Sequence, residues 1–329
     1  MILFSLDLVS SKSKSRTMKH LFLPIATFLT ILLTVVGPLN AQKQHDLEGR
    51  WDLEIQFMGK TAPSWLEVRH SGHETLVGRF VFAFGSARPI SEIKTFGNKF
   101  TFQIPRQWEP EGSDMILHGE LKEGTIEGTL IYTDGSIIPW KGKPAPQFAA
   151  TEKPDWGKTT ALFNGKDLEG WHLDSDKNEW SIEGGILKNA KGGANLISDE
   201  KFKDFKLVTE FRYPEGSNSG IYLRGRYEVQ IADNHGLEAS DIYFGGIYGF
   251  LEPNENVAKP AGEWQRYEIT LVGNRVTIVA NGKTIISNQT IPGITGGALD
   301  SAEGEPGPIM IQGDHGPVEF RTFEITSAK

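Results

Sequence analysis

The stretch WQRYEITLVGNRVTIVANGKTIIS (264–287) constrains this chain more than any other. It consists of three runs of alternating residues, separated by Gly273-Asn274 and Asn281-Gly282. Side chains on a strand point to opposite faces in turn, so period two marks a half-buried strand. Asn-Gly and Gly-Asn pairs supply the positive-φ residues that tight hairpin turns demand. The stretch therefore reads as an antiparallel meander. Runs with apolar residues at helical spacing are hard to find beyond the N-terminus, and glycine is plentiful at 37 residues, which extends the β reading to the whole chain.

Two cores are expected from 329 residues, since domains mostly run to roughly 100–200 residues. The first half shows short alternating segments at 51–57, 75–84, 99–104, 115–121, 125–132 and 136–140. Turn pairs Gly97-Asn98, Glu123-Gly124 and Asp134-Gly135 divide them. This predicts a small antiparallel meander or barrel of about eight strands over 45–145. The pieces ARPIS (87–91) and PRQWE (105–109) place Arg, Trp and Glu at strand ends, either as a binding mouth or as a rim packed on the neighbouring domain. Residues 146–158, rich in proline and small residues, read as a linker. A second domain over 159–327, with many strands and a hairpin at Glu183-Gly184-Gly185, reads as a jelly-roll β-sandwich.

Lys19 and His20 precede an apolar run from Leu21 to Val36, followed by Gly37, Pro38 and Ala41, the layout of a secretory leader over 1–41 with its start at Met18. Thr27, Thr30 and Thr34 dilute the run, which is shorter than the roughly 20 residues of a spanning helix. The expectation is an exported protein, periplasmic or extracellular, with no membrane insertion once the leader is removed. With no cysteine, the chain has no disulfide framework, thiolate zinc site or cysteine nucleophile. The leader holds four basic residues and one acidic, so the formal charge of −8 becomes −11 without it. Such a chain is a poor partner for nucleic acid or an anionic membrane, and neutral sugars suit it better.

The polar positions of domain two are unusual. On FKLVTEFRYPE (205–215), Phe205, Leu207, Phe211 and Tyr213 share one face, while Glu210 and Arg212 share the other. Arg224, Glu228 and Gln230 share a face of the next strand pair if Gly225 is only a bulge; a turn there would reset the parity. These charges read equally as cross-strand salt bridges or as a binding face. Asn218 and Asp233 flank the strands. A long loop (241–264) carries Tyr243, Phe244, Tyr248 and Phe250, suggesting a cover over a sugar cleft. Gln312, Asp314 and His315 lie near the C-terminus between two apolar strands.

The blocks LFNGKDLEGW (162–171), NSGIYLRG (218–225), YEVQIAD (227–233), GIYG (246–249), GEW (262–264), NGK (281–283) and IQGDHG to FR (311–321) resemble the 3-keto-disaccharide hydrolase family. Gln265 stands where the family often has Asn, and Thr322-Phe323 replaces a common Asn-Ile. The resemblance implies a concanavalin A-like sandwich acting on an oligosaccharide or glycoside whose sugar is oxidised to a ketone at C3. A C3 ketone acidifies the C2 proton, so its removal allows the C1 substituent to leave. That needs a base, an acid for the leaving oxygen and stabilisation of the enolate. By type and position, Glu228 or Glu210 is expected as base, His315 as proton donor, and Arg224 or Arg212 as charge stabiliser. Asn218, Gln230, Asp233, Tyr248 and Gln312 are expected to hold hydroxyls or stack on the ring. A divalent cation held by Glu, Asp and His is an open alternative to the arginine. A conventional glycoside hydrolase and a non-catalytic carbohydrate-binding module remain the competing readings.

Overall fold

The computed structural model describes residues 46–107, 109, 111–148 and 153–329. The expected leader and its start at Met18, Trp108 of the 105–109 piece, and residues 149–152 of the expected linker lie outside the described residues.

The alternating segments of the first half form strands β1 (Gly49–Phe57), β2 (Lys60–Ser71), β3 (Thr75–Val81), β4 (Arg88–Phe96), β5 (Lys99–Ile104), β6 (Met115–Lys122), β7 (Thr125–Ile131) and β8 (Ile137–Pro144). They close into an antiparallel barrel, β8 pairing back onto β1 with Ile55 opposite Trp140. Closure removes the unpaired edges that an open meander would expose. Inward side chains such as Leu53, Phe80, Phe100, Phe102 and Leu130 are buried and fill the interior. The segment expected as a strand over 75–84 leaves the sheet at Val81, and Phe82, Ala83 and Phe84 still pack with the barrel core.

The second half begins with β9 (Trp156–Ala161), so the end of the stretch read as linker is already strand. There follow β10 (Trp171–Leu173), β11 (Trp180–Glu183), β12 (Ile186–Asn189), β13 (Leu196–Phe202), β14 (Phe205–Arg212), β15 (Asn218–Leu223), β16 (Tyr227–Ala232), β17 (Gln265–Val272), β18 (Arg275–Ala280), β19 (Lys283–Thr290), β20 (Gly307–Ile311) and β21 (Val318–Ala328). One sheet runs β10-β13-β20-β15-β16; the other runs β11-β12-β21-β14-β17-β18-β19, with β9 on β21. The meander over 264–287 folds as β17, β18 and β19, with Asn281 at φ 50° and Gly282 at φ 84° in the second turn. The architecture is all-β, a barrel followed by a jelly-roll sandwich.

The sandwich core lies between the sheets. Phe205, Leu207 and Phe211 of β14 meet Ile221 and Leu223 of β15 and Val229 and Ile231 of β16. Burying each such side chain contributes about 1.5–3 kcal/mol. Trp65 of the barrel belongs to the same apolar cluster: its ring packs edge-on against Phe250 at 5.3 Å, and a Cβ on Gly293 would lie 2.2 Å from it. At the barrel ends Arg88 and Glu109 form a buried ion pair with each other at 2.6 Å, and Ser86 and Ala87 lie close to Gly249 of the sandwich.

Candidate active site

β15 and β16 form a hairpin in which the faces separate by parity. Ser219, Ile221, Tyr227, Val229 and Ile231 are buried, four of them in the core between the sheets, and the even-numbered residues take the opposite face. On that outer face Tyr222 lies directly across from Glu228, and Gly220 across from Gln230. A cavity of about 460 Å³ opens over it. Its polar lining comes from Asn218, Tyr222, Glu228, Gln230, Tyr248, Gln312, Asp314 and His315, while Phe84 and Gly85 of the barrel and Gly296 and Gly297 close the other side.

Glu228 is almost wholly buried, and it is burial that pushes its carboxyl up to about 8. The Tyr222 hydroxyl and the charge of His315 act in the opposite direction, and the Asp314 charge adds to the rise. The hydroxyl of Tyr222 lies 2.9 Å from Oε2 of Glu228 and 2.8 Å from the carbonyl oxygen of Gly296. It has a single proton, and a carbonyl can only accept. When the hydroxyl donates to Gly296, its contact with Glu228 is a hydrogen bond only if the carboxyl carries a proton. Geometry and burial thus agree on a carboxyl able to exist in either form near neutral pH, the property a proton-transfer group needs.

Asp314 Oδ1 lies 2.5 Å from Nδ1 of His315, and this bond is the main cause that holds the imidazole above its ordinary range. The charges of Glu228 and His315 each favour the ionised form of the other. Oδ1 of Asn218 and Oε1 of Gln230 and Gln312 are buried without a hydrogen-bond partner among the described residues. Unpaired buried polar atoms are costly, so these three amides are polar groups that the fold leaves unsatisfied beside the cavity.

Six of the expected site residues, Asn218, Glu228, Gln230, Tyr248, Gln312 and His315, line this one cavity. Four do not. Arg224 sits in a turn rather than a bulge, with φ 55° followed by Gly225 at 68°, so it lies outside both strands and does not follow their alternation. Its side chain is fully buried, donating through Nη2 to the carbonyl of Gly273 and lying 5.2 Å from the Tyr227 ring. Glu210 and Arg212 belong to β14, hence to the other sheet, and pair on its outer surface. Glu210 accepts from Arg321 at 3.0 Å and Thr322 at 2.8 Å, and Arg212 donates to Glu319 at 2.5 Å. The salt-bridge reading is the correct one for them. Asp233 accepts from the backbone of Gly216 at 2.9 Å and stabilises the turn before β15.

The long loop also differs from expectation. Phe244 and Phe250 are buried in the core, and Tyr248 alone of the four aromatics lines the cavity. The loop pairs along the edge of β16, Gln230 donating to Gly246 at 3.0 Å and Tyr248 to the carbonyl of Glu228 at 3.1 Å. Tyr222 was not among the expected site residues, although alternation from Gly220 points to it, and Asp314 was named beside His315 without a role. Nothing local marks Phe84, Gly85, Gly296 or Gly297. As for a cation, no group of three or more His, Asp or Glu side chains able to hold one is gathered among the described residues.

A β-sandwich with a buried carboxyl and a His–Asp pair lining one polar cavity has the makings of an enzyme of the carbohydrate-active sandwich class. Within that class the chain belongs to the family described as 3-keto-alpha-glucoside-1,2-lyase-like domain, whose model matches residues 158–326. It is 24% identical over 211 residues to the 3-keto-disaccharide hydrolase of Bacteroides thetaiotaomicron, covering 51% of this chain and 71% of that one. Two crystal structures of candidate glycosyl hydrolases from Parabacteroides distasonis are also similar. One covers 54% of this chain and 93% of its own at 27% identity and a TM-score of 0.44. The other covers 52% and 100% at 25% identity and a TM-score of 0.42.

Proposed function

We propose that the protein is a glycoside-cleaving enzyme that acts on 3-keto-glycosides by elimination followed by hydration. Family membership and the likeness to an enzyme named for 3-keto-disaccharide hydrolysis support the carbohydrate class. The observation that carries the mechanism is the buried Glu228 carboxyl, facing one cavity with His315–Asp314.

In this reading ionised Glu228 takes the C2 proton, and the C2–H electron pair moves to form the C2–C3 enolate with its charge on O3. The Asn218 and Gln312 side-chain NH2 groups and the Tyr248 hydroxyl can donate to ring oxygens, while the Gln230 NH2 already donates to the carbonyl of Ile242 at 3.3 Å. As the C3 carbonyl re-forms, the electron pair makes a C1–C2 double bond and the C1–O bond breaks. Protonated His315 gives its proton to the leaving oxygen. Water then adds at C1, losing a proton to neutral His315, while Glu228 returns its proton to C2; the net change is hydrolysis. A carboxyl of raised pKa is the better base for a carbon acid, because proton-transfer rates grow with base strength. Among the described residues no Arg or Lys lines the cavity, so in this reading the enolate is stabilised by neutral donors and the imidazolium.

A conventional glycosidase would need two carboxyls working across the bond. The cavity offers Glu228 and Asp314, but Asp314 is engaged by His315. Incubation with 4-nitrophenyl glucoside and with its 3-keto derivative separates the readings. Release from the keto form alone is expected. Release from the parent sugar would favour the conventional hydrolase, and release from neither would leave a binding module.

A further inference from the structure

The cavity has two chemically different walls. The sandwich wall carries its carboxyl, imidazole and amide groups. The barrel wall is formed by Phe84 and Gly85. Phe84 is the near member of an aromatic group at that end of the barrel. Its ring centroid lies 5.3 Å from Phe82 and 5.6 Å from Phe57, and Tyr132 stacks on Phe82 at 5.6 Å with 21° between planes. The turns joining β1 to β2 and β7 to β8 close the same end, and they leave Met58 and Ile137 mostly exposed, at 84% and 69%.

The segment bearing Phe84 is held in place. Gly297 donates its amide to the carbonyl of Ala83 at 2.9 Å. Gly296 approaches so closely that a Cβ there would lie 2.2 Å from the carbonyl oxygen of Gly85. Both contacts tie the Phe84 segment to the sandwich.

Resting on the proposed reaction, we infer that the barrel end is the leaving-group side of the cleft, with Phe84 the specificity-determining residue for a flat, apolar aglycone. The reasoning is one of matching chemistry. A hydroxyl-rich ring is met by directional groups, which the sandwich wall supplies. The barrel wall contributes an aromatic residue, and aromatic side chains favour flat, apolar partners rather than a hydroxyl pattern. With the oxidised sugar on the sandwich wall, the C1 substituent is the part left to meet Phe84.

The test compares phenyl and methyl 3-keto-glucosides with the full chain and with Phe84→Ala and Phe84→Leu. It reads kcat/KM for each and, by calorimetry, the affinity for the unoxidised phenyl and methyl glucosides; melting curves verify folding. The expected result is a preference of roughly tenfold or more for phenyl over methyl in the parent protein. Phe84→Ala reduces it to within about twofold, and Phe84→Leu, which keeps apolar bulk without a flat face, lies between. Equal handling of both aglycones by the parent protein, or a preference that survives in both variants, overturns the inference. Cleavage of both keto-glucosides without preference would remove the subsite and keep the reaction. A Phe84-dependent affinity for phenyl glucoside without cleavage of either would keep the subsite and remove the reaction.

Discussion

A Cβ placed on Gly220 would lie 2.3 Å from Oε1 of Glu228 and 2.8 Å from its Cγ, so the carboxyl occupies the space that any other residue at 220 would fill. The glycine is needed for room on the sheet face and not for its backbone angles, since its φ is not positive. Gly220→Ala is expected to displace the carboxyl and lower kcat by about tenfold to a hundredfold, as misplacement by about 1 Å does elsewhere. Steady-state kinetics beside a melting curve check it; unchanged kcat would show that Glu228 is not positioned by this contact.

Glu228→Gln keeps the shape of the side chain and removes its proton chemistry. Loss of at least about a thousandfold in kcat is expected, with substrate affinity retained. Binding of the unoxidised glucoside by calorimetry separates this from misfolding.

The two proton-transfer groups set opposite limbs of the pH profile. A base must be ionised, so kcat/KM is expected to rise as pH passes through the Glu228 value of about 8. Hydrogen bonding from Tyr222 lowers that value, so Tyr222→Phe moves the rising limb to higher pH. The acid must be protonated, and Asp314 holds the His315 imidazole upward, so Asp314→Asn moves the falling limb to lower pH. Profiles in which neither limb moves would detach both groups from the chemistry.

Asp52 of the barrel faces Glu303 of the sandwich, both fully or nearly buried. Burial first, then the Glu303 charge, pushes Asp52 up to about 8, against the lowering effect of Lys143 and Arg50, and burial also raises Glu303. The folded state therefore holds more protons than the unfolded chain between about pH 4 and pH 8, and stability falls as pH rises through that window. Asp52→Asn is expected to flatten the decline by about 2 kcal/mol between pH 5 and pH 8, read from denaturant midpoints at each pH.

Glu210→Gln should change little. Its partners Arg321 and Arg266 are partly exposed, on the outer surface of the sheet that does not carry the cavity. Stability is expected to shift by less than about 1 kcal/mol, with kcat unchanged. A large fall in kcat would return Glu210 to the list of bases.

The sequence by itself determined what depends on near neighbours. Strands follow from period-two alternation, and the 281–282 turn from Asn-Gly, because pleat and turn angles are set within a few residues. The core face of β14 and the shared face of Glu228 and Gln230 were legible for the same reason. Only the tertiary structure decided which strands share a sheet. Glu210 and Arg212 alternate as well as Glu228 does, yet β14 pairs with β17 and β21, which puts them on the far side of the sandwich. Arg224 was misread because it lies in the left-handed turn between β15 and β16, where strand alternation no longer decides which way a side chain points. The barrel wall at Phe84 was invisible because contact across roughly two hundred residues of chain depends on how two finished cores pack, and no local pattern encodes that.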